Sequence, residues 1–251
     1  MGKIKDRTNE TRVNNNGERM VIIRYGNKKD IDVQFEDGTV VEHREYNDFK
    51  NGSIKNPYSP SVYGIGYMGI GNYSSTENGK ETKCHKTWTH MLGRCYDPKF
   101  QEKHPTYKGC TVDKRWHNYQ EYAKWHIENY YEIEGQIMTL DKDILCKGNK
   151  VYSAETCIFV PQFINSLFTK SNKIRGEYPI GVYKQGDKFK AQLNKGKDNQ
   201  HLGTFNTAIE AFQAYKQAKE TYVKELAEEY KDKIPCKLYE AMVAYEVEID
   251  D

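Results

Sequence analysis

From Ile180 to Phe205 the chain alternates apolar and polar residues in three short runs, broken at Gly186-Asp187 and at Gly196-Lys197-Asp198-Asn199. Period-two alternation between glycine turns predicts three antiparallel strands joined by hairpins. In the middle run Phe189, Ala191 and Leu193 alternate with Lys188, Lys190, Gln192 and Asn194. Successive strand side chains point to opposite faces, so one face is apolar and the other carries cations and carboxamides. Thr207 and Glu210 follow at capping-box spacing, and Ile209, Phe212, Tyr215, Ala218, Tyr222 and Leu226 recur at three- and four-residue steps. This predicts a helix over 207–231 that covers the apolar face and outruns the sheet.

Gly181-Val182-Tyr183-Lys184, Lys188 to Leu193, His201-Leu202-Gly203-Thr204-Phe205 and the alanine-rich helix together resemble the ethylene-response-factor DNA-binding domain of plants and its microbial relatives in phage and mobile-element nucleases. That resemblance implies a sheet laid in the major groove of double-stranded DNA, the groove with a unique base code. Lys184, Lys188, Lys190, Gln192, Asn194 and Lys197 are the expected DNA contacts. The first turn is shorter than in the plant domain and lacks its arginine- and tryptophan-rich stretch, so base preference does not carry over.

A formal charge of +2 (38 Lys and Arg against 36 Asp and Glu) would not by itself suggest nucleic acid. The distribution does: lysines cluster in the three runs, whereas Glu240, Glu246, Glu248, Asp250 and Asp251 make the C-terminus acidic. No run approaches the ~20 apolar residues of a membrane span, and Met1 to Arg7 lacks the apolar core of a signal peptide, so the expectation is a cytoplasmic protein of the host cell with no membrane partner. Six cysteines include no Cys-x-x-Cys pair and read as small buried hydrophobes, which speaks against zinc.

Met20 to Ile23, Ile31 to Phe35 and Thr39 to Val41 read as short strands of a compact antiparallel unit. Tyr46 to Pro57 loosely resembles the closing segment of small barrels. Tyr63 to Lys80, rich in glycine, serine and tyrosine, reads as a flexible connector. Beyond it, Thr87 to Tyr96 and Trp116 to Trp125 read as helices. Met138 to Leu145 reads as a β segment, followed by a Gly148-Asn149 turn, a second β segment at Cys157 to Pro161 and a helix with Asn165.

That order, with Asp141, Asn149 and Asn165 in place, resembles the ββα-metal motif of HNH nucleases. Trp88-x-x-Met91-x-x-Arg94-Cys95 and Tyr152-Ser153-x-Glu155-x-Cys157 are similar to motifs of phage proteins of that kind. The resemblance implies a divalent cation, Mg²⁺ or Mn²⁺, held by Asp141 and Asn165 against the scissile phosphate, with Asn149 orienting the general base. The base histidine is replaced by Lys142, and a lysine is protonated at neutral pH. Asp141, Lys142, Asn149 and Asn165 are thus the candidate catalytic residues, in a motif degenerate at its base; His85, His90, His104, His117 and His126 are spare bases. Asp141 and Asp143 are expected to point apart rather than share an ion.

The expected fold is α+β and multidomain: a small barrel-like β unit over 1–60, a connector over 61–82, an HNH-like domain over 83–172, and the three-stranded sheet with its helix and extension over 176–251. Two functions fit. One is a phage or mobile-element endonuclease targeted by its C-terminal sheet. The other is a non-catalytic DNA-binding or host-interfering protein, with a host protein bound through the N-terminal unit or acidic tail.

Overall fold

A computed structural model describes residues 5–169, 177–196 and 198–249. The fold is mixed α+β, with seven α-helices and several small antiparallel sheets among the described residues. The chain divides into two compact units, Met1–Ile127 and Glu128–Asp251. The division falls inside the stretch 83–172.

In the first unit β1 (Thr11–Val13), β2 (Arg19–Asn27), β3 (Asp30–Phe35) and β4 (Val40–Arg44) form an antiparallel meander in chain order. Alternation sets its core: Met20 and Ile22 from β2, Ile31, Val33 and Phe35 from β3, and Val41 from β4 are buried together. The segment expected to close a barrel instead begins as a helix, α1 (Tyr46–Asn51), whose Tyr46 and Phe49 complete that core. Gly52 ends it in the left-handed conformation that glycine adopts without steric cost.

The glycine-rich stretch after Pro57 is not a loose connector. The Tyr67 amide donates to the His117 carbonyl, and the Tyr119 amide donates back to Tyr67. Gln120 accepts from the Tyr73 amide and donates to the carbonyls of Met68 and Tyr73. The glycines allow this contact: a Cβ on Gly66 would lie 2.5 Å from Leu92, and one on Gly69 2.1 Å from Asn118. A hairpin, β5 (Thr76–Glu77) with β6 (Lys80–Glu81), turns at Asn78 and Gly79, both at positive φ.

The first unit then builds α2 (Lys83–Tyr96), capped by Thr82, followed by α3 (Pro98–Lys103), the short β7 (Thr111–Val112) and α4 (Tyr119–Asn129), which runs just past the division. Trp88, Met91 and Cys95 of the motif on α2 are buried on successive turns of a single apolar stripe. The Trp88 indole donates to the Trp116 carbonyl at 2.7 Å. That motif therefore serves packing.

In the second unit β8 (Met138–Asp141) pairs antiparallel with β10 (Ile158–Pro161), with β9 (Val151–Tyr152) in the connection and α5 (Gln162–Phe168) directly after. Then come β11 (Val182–Gln185), β12 (Lys188–Asn194), β13 (Asn199–Phe205), α6 (Ala208–Tyr230) and α7 (Cys236–Val243). Thr207 and Glu210 form the expected capping box, each side chain bonded to the other's backbone.

One helix serves two cores. The first turns of α6 pack Ala211, Phe212 and Tyr215 on Val182, Ala191 and Leu193 of the sheet. Its later turns pack Val223, Leu226 and Ala227 against Ile158, Val160 and Ile164 of the ββα element and Ile234, Leu238 and Met242 around α7. The sheet and the ββα element thus belong to a single unit. The acidic C-terminal segment is anchored too. Val247 is buried on the sheet core, its amide donates to Glu220 at 2.9 Å, and its carbonyl accepts from Lys216 at 2.7 Å.

Candidate nucleic-acid interface

Strand register decides which side chains share the free face of the sheet. Val182 stands opposite Ala191 and Lys184 opposite Phe189, while Tyr183 faces Lys190 and Gln185 faces Lys188. Directly opposed residues of an antiparallel pair lie on one face. Val182, Ala191 and Phe189 pack toward α6, so Lys184 belongs to the packed face, exposed at its edge. Among the expected contacts, Lys188, Lys190, Gln192 and Asn194 lie together on the other face, and Lys184 does not join them. Lys197 lies outside the described residues.

On β13 the register shifts by one residue between Ala191 and Gln192, so that Thr204 faces Lys190, His201 faces Gln192 and Asn199 faces Asn194. This bulge adds twist to the ribbon and keeps Leu202 in the core. The outer face therefore gains Tyr183, Gln185, Asn199, His201 and Thr204, none of them among the contacts expected from sequence. The alternation of β11 and β13 carries a signal for them, but only the register around the bulge assigns the face. Tyr183 is 58% exposed. No residue of the three strands is acidic.

Asn194 has a local duty, since its carboxamide oxygen accepts from the Gly196 amide at 2.8 Å and closes the second hairpin. At the other edge, a Cβ on Gly181 (φ +74°) would lie 2.0 Å from the Tyr215 ring, so only glycine lets β11 sit this close to α6.

The ββα element shows how Asp141 is used. It ends β8, and its Oδ1 accepts from the amides of Asp143 and Ile144, both at 2.8 Å. This turn folds Asp143 back, so the two aspartates do not point apart: their carboxyl groups lie against each other. Burial first, and then the charge of Asp143, push the Asp141 carboxyl up to about 6. Lys142 is buried, with its ammonium 3.2 Å from Asp143 Oδ2 and 5.7 Å above the Tyr152 ring. Asn149 donates to the carbonyls of Lys142 and Val151, both at 2.7 Å, and so fixes the backbone at the base position. Asn165 sits half-buried in α5, and no hydrogen bond joins it to Asp141 among the described residues.

The donors fit a hard cation in kind. The two turn amides use Oδ1 of Asp141, so its second carboxylate oxygen and the Asn165 amide oxygen are the donors on offer, both of the type a hard cation takes. Tyr152, Ser153 and Cys157 of the second motif are buried, and the Cys157 amide donates to the Ser153 carbonyl at 2.9 Å. Burial pushes the Cys157 thiol up to about 12, so it is inert.

All five spare histidines lie in the first unit. His85 Nδ1 is 2.6 Å from Glu81, His117 Nε2 is 3.1 Å from the Val112 carbonyl, His104 stacks on Phe100, and burial drives His90 down and His126 down to about 4.

Among the described residues, one trio of acidic or imidazole side chains is close enough to share an ion: Asp30, Asp32 and His43, with ligand atoms within 4.8 Å of one another. No local motif announces it, because its members come from two strands. Arg24 already supplies its positive charge, donating to both oxygens of Asp30 at 2.7 and 3.0 Å and to both of Asp32, and it holds the Asp30 carboxyl far below the usual range.

No helix among the described residues is long and apolar enough to cross a membrane. No family model, no curated protein and no solved structure matches the chain.

Proposed function

We propose that this is a DNA-binding protein that meets the duplex with the outer face of β11–β13. The observation that carries the reading is the register: Lys188 and Lys190, with carboxamides, hydroxyls, His201 and the exposed Tyr183, share one unpacked face free of carboxylates. Cations would neutralise phosphates and fix the docking, and polar side chains would reach base edges. A twisted β ribbon suits the major groove, which is about 12 Å wide. On this reading the protein works on DNA in the cytoplasm of a host cell. Titrating the whole chain with duplex DNA tests it: affinity should fall steeply as salt rises, because each neutralised phosphate releases counterions. Absence of binding at low salt would end the proposal.

A second reading, cleavage, is favoured by one observation: Asn149 still holds the backbone at position 142, as it would to orient a base. Asp141 and Asn165 would then hold Mg²⁺ or Mn²⁺, which supplies charge stabilisation for phosphodiester displacement. Lys142 is ion-paired with Asp143 and, as an ammonium, has no lone pair to take a proton from water. The chain's own residues therefore support binding more directly than cutting.

A further inference from the structure

We infer that the sheet reads adenine, so that the DNA it selects is A·T-rich duplex; this rests on the proposal that the outer face of β11–β13 binds DNA. Three carboxamides on that face, Gln185, Gln192 and Asn199, make no side-chain hydrogen bond to any described residue. Among the described residues both ends of each carboxamide are open, an oxygen that accepts and a nitrogen that donates. That pair of groups matches adenine in the major groove, where N6 donates and N7 accepts, and it is the side-chain chemistry that reads adenine bidentately. Asn194 is the exception, because its oxygen is committed to the Gly196 amide.

The competing preference has little to support it. Guanine is read bidentately by arginine or lysine through O6 and N7. No arginine occurs anywhere in the three strands. The cations of the outer face, Lys188 and Lys190, sit at the first-hairpin end of β12, beside Gln185, Tyr183 and Thr204. Gln192 and Asn199 lie toward the other end, diagonal to each other. Gln185 thus stands among the cations that suit phosphates, while Gln192 and Asn199 form a carboxamide end that suits bases.

Spacing lets both glutamines reach bases. Gln185 stands opposite Lys188, four residues from Gln192 along the strand direction, a distance of about 13 Å at ~3.3 Å per residue. Stacked bases repeat at about 3.4 Å, so a ribbon lying along the groove would place the two glutamines about four base steps apart.

The test uses the whole chain and fluorescence anisotropy with three duplexes of equal length: A·T-rich, G·C-rich, and the A·T-rich sequence with 7-deazaadenine, which lacks the N7 acceptor but keeps pairing and the minor groove. We expect at least tenfold tighter binding to the A·T-rich duplex than to the G·C-rich one, most of it lost with 7-deazaadenine. Gln192→Ala should cut the ratio of A·T-rich to G·C-rich affinity at least about fivefold, because discrimination by one bidentate pair spans roughly 1–3 kcal/mol. Equal affinity for all three duplexes, a G·C preference, or an A·T preference indifferent to 7-deazaadenine would each overturn adenine reading while leaving DNA binding in place. Absence of binding to every duplex at low salt would overturn both.

Discussion

The Asp141 carboxylate caps its own turn through the amides of Asp143 and Ile144 while the carboxylate of Asp143 lies against it. The turn brings two like charges together, Asp141 the more buried of the two and Asp143 exposed beside the Lys142 ammonium. A structural residue with only this task would be better served by an amide.

A pH dependence of stability comes with it. The Asp141 carboxyl stands at about 6 when folded, above its ordinary 3.8, so the folded state binds the extra proton. Its contribution is fully present below about pH 4 and is lost as pH rises through 6. Asp141→Asn keeps an acceptor oxygen for both amides and removes the charge. Urea unfolding at pH 7 should find the variant more stable by on the order of 1–3 kcal/mol, since each tenfold change in proton affinity is worth about 1.4 kcal/mol. A variant less stable than wild type at pH 7 would show that the carboxylate is structurally required.

His126 has the opposite sign. Burial lowers it to about 4 from 6.5, so the first unit loses stability as pH falls from the unfolded value toward 4, where the unfolded chain binds a proton that the folded state resists. Replacement of His126 by Phe should flatten the acid limb of thermal unfolding in that window. An unchanged acid limb would place the acid sensitivity elsewhere.

Two glycines separate space from backbone conformation. Gly181 and Gly186 both have positive φ, +74° and +63°, but a Cβ meets the Tyr215 ring only at Gly181. Gly186→Ala should cost about 1–2 kcal/mol for the left-handed backbone alone. Gly181→Ala should cost more than that, because strand and helix must also part. Equal costs in denaturant unfolding would mean that β11 and α6 can part without penalty.

Cleavage has a direct test in the base position. If the ββα element cuts, Lys142→His should nick supercoiled plasmid in Mg²⁺ or Mn²⁺ faster than wild type, since a positioned base is worth ~10²–10⁴-fold. Asp141→Asn should remove the gain. Folded protein with no nicking from either form would discard the nuclease reading and leave DNA binding untouched.

Much of the second unit is legible in the sequence because its patterns are strong and local. Two glycine turns and strict alternation fix β11–β13, and Thr207 with Glu210 fixes the start of α6. Side-chain face is plainest on β12, where the apolar set is complete; on β11 only Val182 marks the packed face, and alternation counted from it puts Lys184 there rather than among the outer-face cations. Gly66 and Gly69 look like linker residues in sequence, yet they are glycine because Leu92 and Asn118 press on them from far along the chain. The turn at Asp141 escapes a strand pattern for a related reason: β8 ends there, so alternation no longer places Asp143. The small helices α1 and α7 are too short for a periodic signal and owe their form to the cores they complete.

The most direct test of DNA binding by the outer face compares charge removal on opposite faces of the sheet. Full-length protein carrying Lys188→Ala with Lys190→Ala, and separately Lys184→Ala, is titrated with one duplex between about 50 and 200 mM salt, a range over which phosphate contacts weaken strongly. The outer-face double variant should bind more weakly on every sequence, with a salt slope shallower by about 1.8, and Lys184→Ala should stay close to wild type. Equal losses for both, or binding that ignores the double variant, would contradict the assignment of the outer face as the DNA contact.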